Sequence, residues 1–218
     1  VCESCVRQAG AMVASSFTEF QDLFLLAECF NRKTVSGNRL AAVSGAGFEA
    51  VGMADSIHSD DYDLRLAVFS EAGRAALREL FVRKRLDSLV AVSNPLDINP
   101  AADDETHAAA TDILLADPGV DAVIMGMDPL SPVTRTLNDA GPFSLADPGS
   151  IVHRVAEMAS RHDKPLAAVV DGGLLFAPLR RALLERGIPV FPLCDRAVAA
   201  MAKYMEARLL AAALREKA

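Results

Sequence analysis

The sequence lacks an excess of basic charge, a cysteine framework, a long apolar run and the standard nucleotide-binding signatures. Its 22 Lys and Arg are outnumbered by 29 Asp and Glu, giving a formal net charge of −7. Such a chain offers no basic face to offset phosphate repulsion, which argues against a general nucleic-acid binder. The one dense cationic run, Arg83-Lys84-Arg85, falls at the end of a predicted helix and reads as a solvated helix end, where cations suit the dipole. No stretch approaches the roughly twenty uninterrupted apolar residues of a membrane span, and no signal peptide is read before the first helix. The four cysteines (Cys2, Cys5, Cys29, Cys194) make no disulfide scaffold in a chain this long, and a reducing cytoplasmic compartment is expected. Cys2 and Cys5 form a C-x-x-C, but no second C-x-x-C or clustered His completes a tetrahedron, so no metal site is expected.

Several chemistries are absent as motifs. His58, His107, His153 and His162 assemble no catalytic set and read as surface or helix-end histidines. Ser44 has no G-x-S-x-G elbow around it, which argues against a serine hydrolase. Gly45-Ala46-Gly47 is not G-x-G-x-x-G, and no Gly-Lys-Ser/Thr follows. Neither a dinucleotide fingerprint nor a Walker loop is therefore present.

What is present is a repeating β-α pattern, with 51% apolar residues to build a core. Apolar runs at Leu40–Val43, Leu64–Phe69, Leu89–Val92, Ala122–Met127, Leu166–Val170 and Val190–Leu193 are continuous rather than alternating. That is the pattern of parallel strands buried on both faces. Helical periodicity fills the gaps at Ala72–Arg85, Asp104–Ala116, Ser150–His162 and Leu174–Arg186, with a last helix expected after Asp195 as N-cap. An open, doubly wound parallel sheet follows. Residues 1–36 read as a separate piece, the C-terminal remnant of a preceding domain, and 37–218 as the main domain. In the first piece Ser16-Phe17-Thr18-Glu19 is a capping box, and the helix it starts aligns Phe17, Phe20, Phe24 and Ala27 in a stripe that calls for cover.

The chain is organised around Leu40–Asp55, a strand, a small-residue turn (Ser44-Gly45-Ala46-Gly47) and a helix expected to begin at Phe48. A helix start holds roughly half a positive charge and unpaired N–H donors, and the glycines let an anion approach the backbone. Ser44, Gly45, Ala46, Gly47, Phe48 and Glu49 are thus the candidate phosphate-binding residues. Doubly wound sheets bind ligands beyond the carboxyl ends of their strands. On that rim the pattern places the glycine turn, Ser70–Gly73, Ser93-Asn94-Pro95-Leu96-Asp97, Gly126–Pro129, Asp171–Gly173 and Cys194-Asp195. Asn94 and Asp97 are the candidate catalytic side chains, with an ordinary Asn/Asp turn as the alternative. The irregular stretch Asp128–Pro148 leaves the same rim and reads as a lid or partner contact.

Several segments in order resemble the nucleotide diphosphate-forming acyl-CoA synthetases, the superfamily of succinyl-CoA synthetase and ADP-forming acetyl-CoA synthetase. They are Gly37–Val43, the turn and helix Ser44–Asp55, Ser93-Asn94-Pro95-Leu96-Asp97, Asp117–Val123, Lys164-Pro165-Leu166 and Gly187-Ile188-Pro189-Val190. Phe48-Glu49 stand where the acetyl-CoA type usually has Gly-Pro, and Asn99–Ala102 replace a more glycine-rich run. The resemblance implies a flavodoxin-like CoA-ligase domain, in which this helix start faces a phosphohistidine supplied from outside the chain. It further implies a phosphohistidine-bearing CoA-binding domain and an ATP-grasp domain or subunit as partners, in a homo- or hetero-oligomer. CoA, ATP/ADP and Mg serve the complete enzyme, none held tightly here, and the isolated chain is expected to be inactive. The alternatives are a non-catalytic module binding a small anion or a flavin phosphate, and a pure assembly domain.

Overall fold

The computed structural model describes residues 2–138 and 141–216. The side chain of Cys2, half of the C-x-x-C, lies outside the described part of the structure. Cys5, Cys29 and Cys194 are free thiols. Among the described residues no helix is long and apolar enough to cross a membrane.

The sheet is parallel and runs β2 (Arg65–Leu66), β1 (Arg39–Ser44), β4 (Ala122–Met127), β5 (Leu166–Val170), β6 (Val190–Phe191), with β3 (Leu96–Asp97) also pairing β1. Apart from β3 this is the flavodoxin order of a doubly wound sheet. The pleat splits each central strand between two cores. Ala41, Val43, Val123, Met125, Ala168 and Val170 face one side, under helices α4 (Glu71–Lys84), α5 (Asp104–Ala116), α6 (Ile151–Ser160) and α7 (Ala177–Leu184). Leu40, Ala42, Ile124, Ala167 and Val169 face the other, under α2 (Phe17–Cys29), α3 (Gly47–Asp55) and α8 (Cys194–Arg215). A short α1 (Cys2–Gln8) precedes α2 and ends before Gly10, whose φ of 82° suits glycine.

Several sequence expectations are corrected. Leu89–Val92 is not a strand; pairing on that edge comes from Leu96–Asp97. The reason lies in how β1 fills its outer edge. β2 pairs only with Arg39 and Leu40, the Ala67 N–H donates to Leu40 O at 2.8 Å, and the chain then leaves the sheet. β3 takes the upper end, opposite Val43 and Ser44. Between the two, the Asn94 side chain acts as a missing rung. Its Oδ1 accepts from the Ala42 N–H at 3.0 Å, and its Nδ2 donates to Leu40 O and Ala67 O, both at 2.9 Å. Ser70 is likewise not on the rim: its N–H and Oγ donate to Asp117 Oδ2 in the turn entering β4, at the sheet's amino end. On α2 the covered face is Leu23 and Leu26, while Phe17, Phe20 and Phe24 face outward. The α2–α8 packing is locked by Asp22, which accepts from Arg196 Nε and Nη2 at 2.6 and 2.7 Å. Finally, α8 starts two residues early, at Cys194, with Leu193 as an uncapped N-cap.

Asp121 fixes the entry of β1. Its buried carboxylate accepts from the Arg39 N–H (3.0 Å), Nε (2.8 Å) and Nη2 (2.8 Å), and from Ser36 Oγ (3.2 Å). Burial alone would raise the Asp121 carboxyl, but these donors hold it below the ordinary range. A depressed acid stabilises the fold above its unfolded pKa of about 3.9, and that stability is lost as pH falls through the lower folded value. Asp121→Asn should cost about 2 kcal/mol in urea unfolding at pH 7, with the gap to wild type closing below about pH 4. Asn94→Leu should cost about 1–3 kcal/mol at any pH, because it strands the buried Ala42 N–H; an unchanged urea midpoint would show the rung to be dispensable.

Candidate functional site

β1 delivers its last residue, Ser44, fully buried at the carboxyl end of the sheet. Ser44 Oγ donates to Glu49 Oε2 at 2.6 Å and accepts from the Ala46 N–H at 3.0 Å, tying the turn to the first turn of α3. The α3 N-cap is Ala46, which has no capping side chain. Its carbonyl accepts from the N–H groups of Glu49 and Ala50, both at 3.1 Å. The N–H groups of Gly47 and Phe48 donate to no other described residue, as expected of the first donors of a helix. These two groups, on the positive end of the helix dipole, make the turn a candidate anion cradle. Phe48, 72% exposed, leaves the approach open. Phe48 and Val51 point outward although their spacing reads as inward; the covered face of α3 is Glu49, Ala50 and Met53.

Glu49 is a buried acid beneath the cradle, 3% exposed. Its carboxyl folds back across β4 at Gly126, where any side chain would run into Glu49 Oε2. Burial pushes the Glu49 carboxyl up to about 7; the Ser44 hydroxyl opposes the shift, and the charges of Asp171 and Asp128 reinforce it. Close to neutrality the group is therefore partly protonated, which spares the cradle a negative charge from below. Cys194, at the start of α8, closes the same corner: its Sγ stands 2.9 Å from where a Gly52 side chain would begin. Its thiol is pushed up by burial and by Glu49.

Of the two side chains read as catalytic, the structure keeps one on the rim. Asp97 pairs with Ser44, its Oδ1 accepts from the Asn99 N–H at 2.9 Å, and its Oδ2 reaches to 2.8 Å from a Cβ position at Gly47. It flanks the cradle and is exposed. Asn94 does not stand over the rim, because its amide is committed to the sheet; the Asn94–Pro95 bond is cis.

The loop after β4 does not hang free as an isolated lid. Ser131 Oγ donates to Pro100 O at 2.7 Å, and Arg135 Nη1 to the buried Asp104 Oδ2 at 2.9 Å, pinning the loop to the start of α5. Asp139 and Ala140 of this loop lie outside the described residues.

Sequence reasoning missed His107. It is not a surface residue: it is 1% exposed in the first turn of α5, beneath Gly45. The spacing carries the signal, since His107 falls three and seven residues before the buried Ala110 and Leu114. His58 is exposed, His153 bonds Ser150 at 3.0 Å, and His162 bonds Asp112 at 2.5 Å. Among the described residues no group of three or more His, Cys, Asp or Glu side chains could hold a metal ion.

No family model matches the chain. It is 29% identical over 191 residues to the Acetate–CoA ligase [ADP-forming] II subunit alpha of Pyrococcus furiosus, covering 88% of this chain and 38% of that protein. A solved protein of Pyrococcus horikoshii OT3 superposes with a TM-score of 0.77 at 23% identity, over 96% of this chain and 44% of the other. The dinucleotide-forming acetyl-coenzyme A synthetase 1 of Ca. Korarchaeum cryptofilum superposes in its apo form with a TM-score of 0.75 at 22% identity, over 97% and 42%. Its complex with phosphate and ADP gives the same values. These structures share the fold, and the chain spans well under half the length of the curated relative. The chain is thus similar in sequence to an ADP-forming acetate–CoA ligase subunit, and resembles the CoA-ligase region of the NDP-forming acyl-CoA synthetase superfamily.

Proposed function

We propose that the chain is the CoA-ligase part of an NDP-forming acyl-CoA synthetase and that its α3 start stabilises the transferred phosphoryl group. The complete reaction converts acyl-CoA, phosphate and a nucleoside diphosphate to carboxylate, CoA and the triphosphate, by way of an acyl phosphate and a phosphohistidine. One observation carries the reading: two helix-start N–H groups with no acceptor among the described residues stand at the carboxyl end of the interior strand β1. The sequence match to an ADP-forming acetate–CoA ligase subunit supports it.

In this reading the Gly47 and Phe48 N–H groups hold phosphoryl oxygens, a positioning and electrostatic contribution. Asp97 accepts the N–H of the incoming imidazole and orients it. Asn94 is a positioning residue, holding the segment that carries Asp97. Glu49, when protonated, leaves the phosphoryl charge unopposed from beneath. The phosphohistidine, the CoA site and the nucleotide with its Mg are assigned to partner domains or subunits, because the turn here fits a phosphoryl group and lacks a dinucleotide fingerprint. The chain alone is then inactive.

Sulfate, whose charge is constant near neutrality, is a suitable probe of the cradle. Its addition should shift the backbone amide resonances of Gly47 and Phe48 most. Proline is tolerated in a helix's first turn, so Phe48→Pro removes one donor without breaking α3 and should weaken sulfate binding roughly tenfold. Glu49 titrates with a raised folded pKa, so the stability it confers is greatest below the unfolded value of about 4.3 and declines as pH rises towards about 7. Glu49→Gln should flatten the pH dependence of stability between about pH 4 and pH 7, and likewise the loss of sulfate affinity around pH 7. Reconstitution decides the enzymology: mixed with the CoA-binding and ATP-grasp parts of a relative, the chain should support acyl-CoA formation from ATP, CoA and a carboxylate. Removing one such donor should lower that rate about a hundredfold in Phe48→Pro; a panel of carboxylates giving no acyl-CoA and no phosphohistidine would reject the assignment.

A further inference from the structure

The adjacent parallel strands β1, β4, β5 and β6 end on one rim of the sheet. Each hands over to a turn that exposes a large apolar side chain: Phe48 after β1, Leu130 after β4, Leu174 and Leu175 after β5, Leu193 after β6. Strands stand about 4.8 Å apart, so the row spans about 15 Å. Leu130 is 76% exposed and Leu174 89%. Single exposed leucines are ordinary, whereas a row of them marks an interaction surface. Within the row lies an open groove of about 290 Å³ between the loop after β4 and the turn Leu174–Phe176. Pro129, Leu137, Phe143, Leu175 and Phe176 line it. Its wall also carries Ser131, Thr134 and Thr136, whose hydroxyls donate to Pro100 O, Ser131 O and Pro129 O at 2.7, 3.1 and 2.9 Å. With those hydrogens spent on backbone carbonyls, the wall offers an incoming group apolar contact and no hydroxyl donor. Such a groove suits a hydrocarbon side chain, as anchors fill pockets at the centre of an interface.

Carboxylates flank the row. Asp97 ends β3, Asp128 and Asp171 directly follow β4 and β5, and Asp195 lies in the first turn of α8. Among the described residues none of these four forms an ion pair. The arginines that reach these turns are engaged: Arg135 with Asp104, Arg196 with Asp22, and Arg180 with the carbonyls of Val170, Gly172 and Gly173. The surface is thus apolar along the row and negative beside it, and its complement is apolar and positive.

We propose that this rim is the docking surface for the partner that supplies the phosphorylated histidine, and that the partner meets it with a hydrocarbon side chain in the β4–β5 groove, flanked by Lys or Arg opposite the aspartates. The inference rests on the phosphoryl reading of the α3 start, because a partner serving that start comes to this rim. It adds what the partner's surface is made of. The groove supplies the apolar anchor point, and the aspartates steer and orient a basic surface while turning away an acidic one.

Two short peptides, capped at both ends, probe the surface on the 218-residue chain: Arg-Leu-Arg-Phe-Arg and Glu-Leu-Glu-Phe-Glu. The basic peptide should shift the amide resonances of Leu130, Phe143 and Leu175, and the acidic one should not bind. Raising the salt from about 0.05 to about 0.5 M should weaken the basic peptide about tenfold. Leu130→Ser combined with Leu175→Ser, both at exposed positions, should weaken it about tenfold at either salt concentration. Asp171→Asn combined with Asp195→Asn should instead reduce the salt dependence and keep the high-salt affinity. The CoA-binding part of a relative used for reconstitution should displace the peptide. Equal binding of the two peptides, binding of neither, or shifts at Phe17, Phe20 and Phe24 of α2 in place of the rim overturns the proposal. So does failure of the relative's part to displace the basic peptide. The sulfate titration of Gly47 and Phe48 keeps the two readings apart. Sulfate shifts that persist beside a failed peptide test leave the phosphoryl reading standing, while their absence removes that reading and this choice of partner with it.

Discussion

The position of every group at the rim depends on how the outer edge of β1 is satisfied. A central strand buried on both faces must pair its N–H and C=O groups on both edges. On the inner edge β4 does this along the whole strand, residue for residue from Leu40 to Ser44. On the outer edge no single strand does. β2 covers the first two residues and β3 the last two, and the Asn94 amide fills the interval. An amide suits this place because it offers an acceptor and a donor in one plane, as a peptide does. The exchange of strands has a functional consequence. It brings the chain to the rim at Leu96–Asp97, next to Ser44, where a continuous β2 would have left only its own end.

The turn that follows Ser44 is bound by a second constraint, the burial of Glu49. A first-turn acid ordinarily faces solvent and favours the helix dipole. Here its side chain turns inward, which requires a glycine at 126 on the neighbouring strand and a hydroxyl at 44 to receive it. Ser44 in turn occupies the Ala46 N–H. One helix-start donor is thereby used internally while those of Gly47 and Phe48 stay open. The result is a rigid, narrow cradle rather than a loose glycine loop.

Much of the architecture was legible from the sequence, and the parts that were not share a physical cause. Long apolar runs such as Ala122–Met127 and Leu166–Val170 became strands with their limits intact, because burial on both faces leaves little choice. Leu89–Val92 carries the same composition, yet its edge was already taken by β2 and the Asn94 amide, and nothing local records that competition. The Phe17–Phe20–Phe24 stripe is periodic, but Leu23 and Leu26 on the adjoining stripe meet α8, with Asp22 paired to Arg196 beside them. The glycine turn was visible on the rim from its strand end, whereas Asp97 was placed there by way of a Leu89–Val92 strand that does not form. Asn94 was visible as important and misplaced by a few ångströms, since an amide that bonds backbone looks in sequence like one that bonds a ligand. His107 was misread as a surface residue, although its spacing to Ala110 and Leu114 puts it on the buried stripe of its helix.

Magnitudes say what kind of guest this rim accepts. A helix start contributes about 0.3–1 kcal/mol to an exposed anion, and up to about 2 kcal/mol in a partly buried geometry. A full charge about 4 Å away at an effective dielectric of about 20 is worth about 4 kcal/mol. Asp97 stands against the cradle, and Asp128 and Asp171 lie near enough to raise Glu49. A bare multiply charged anion therefore gains less from the dipole than it loses to even one such carboxylate, unless solvent screens the latter. Asp97 is exposed and is screened; Glu49 is buried and is not, which is why its neutralisation matters more than its distance suggests. The balance turns favourable when the guest carries a positive or hydrogen-bond-donating group of its own beside its negative oxygens. In the proposed function a phosphoryl group on an imidazole has that character, offering oxygens to Gly47 and Phe48 and a ring N–H to Asp97. On that proposal the acidity of the rim, which weakens the hold on a free anion without abolishing it, is part of what distinguishes such a group.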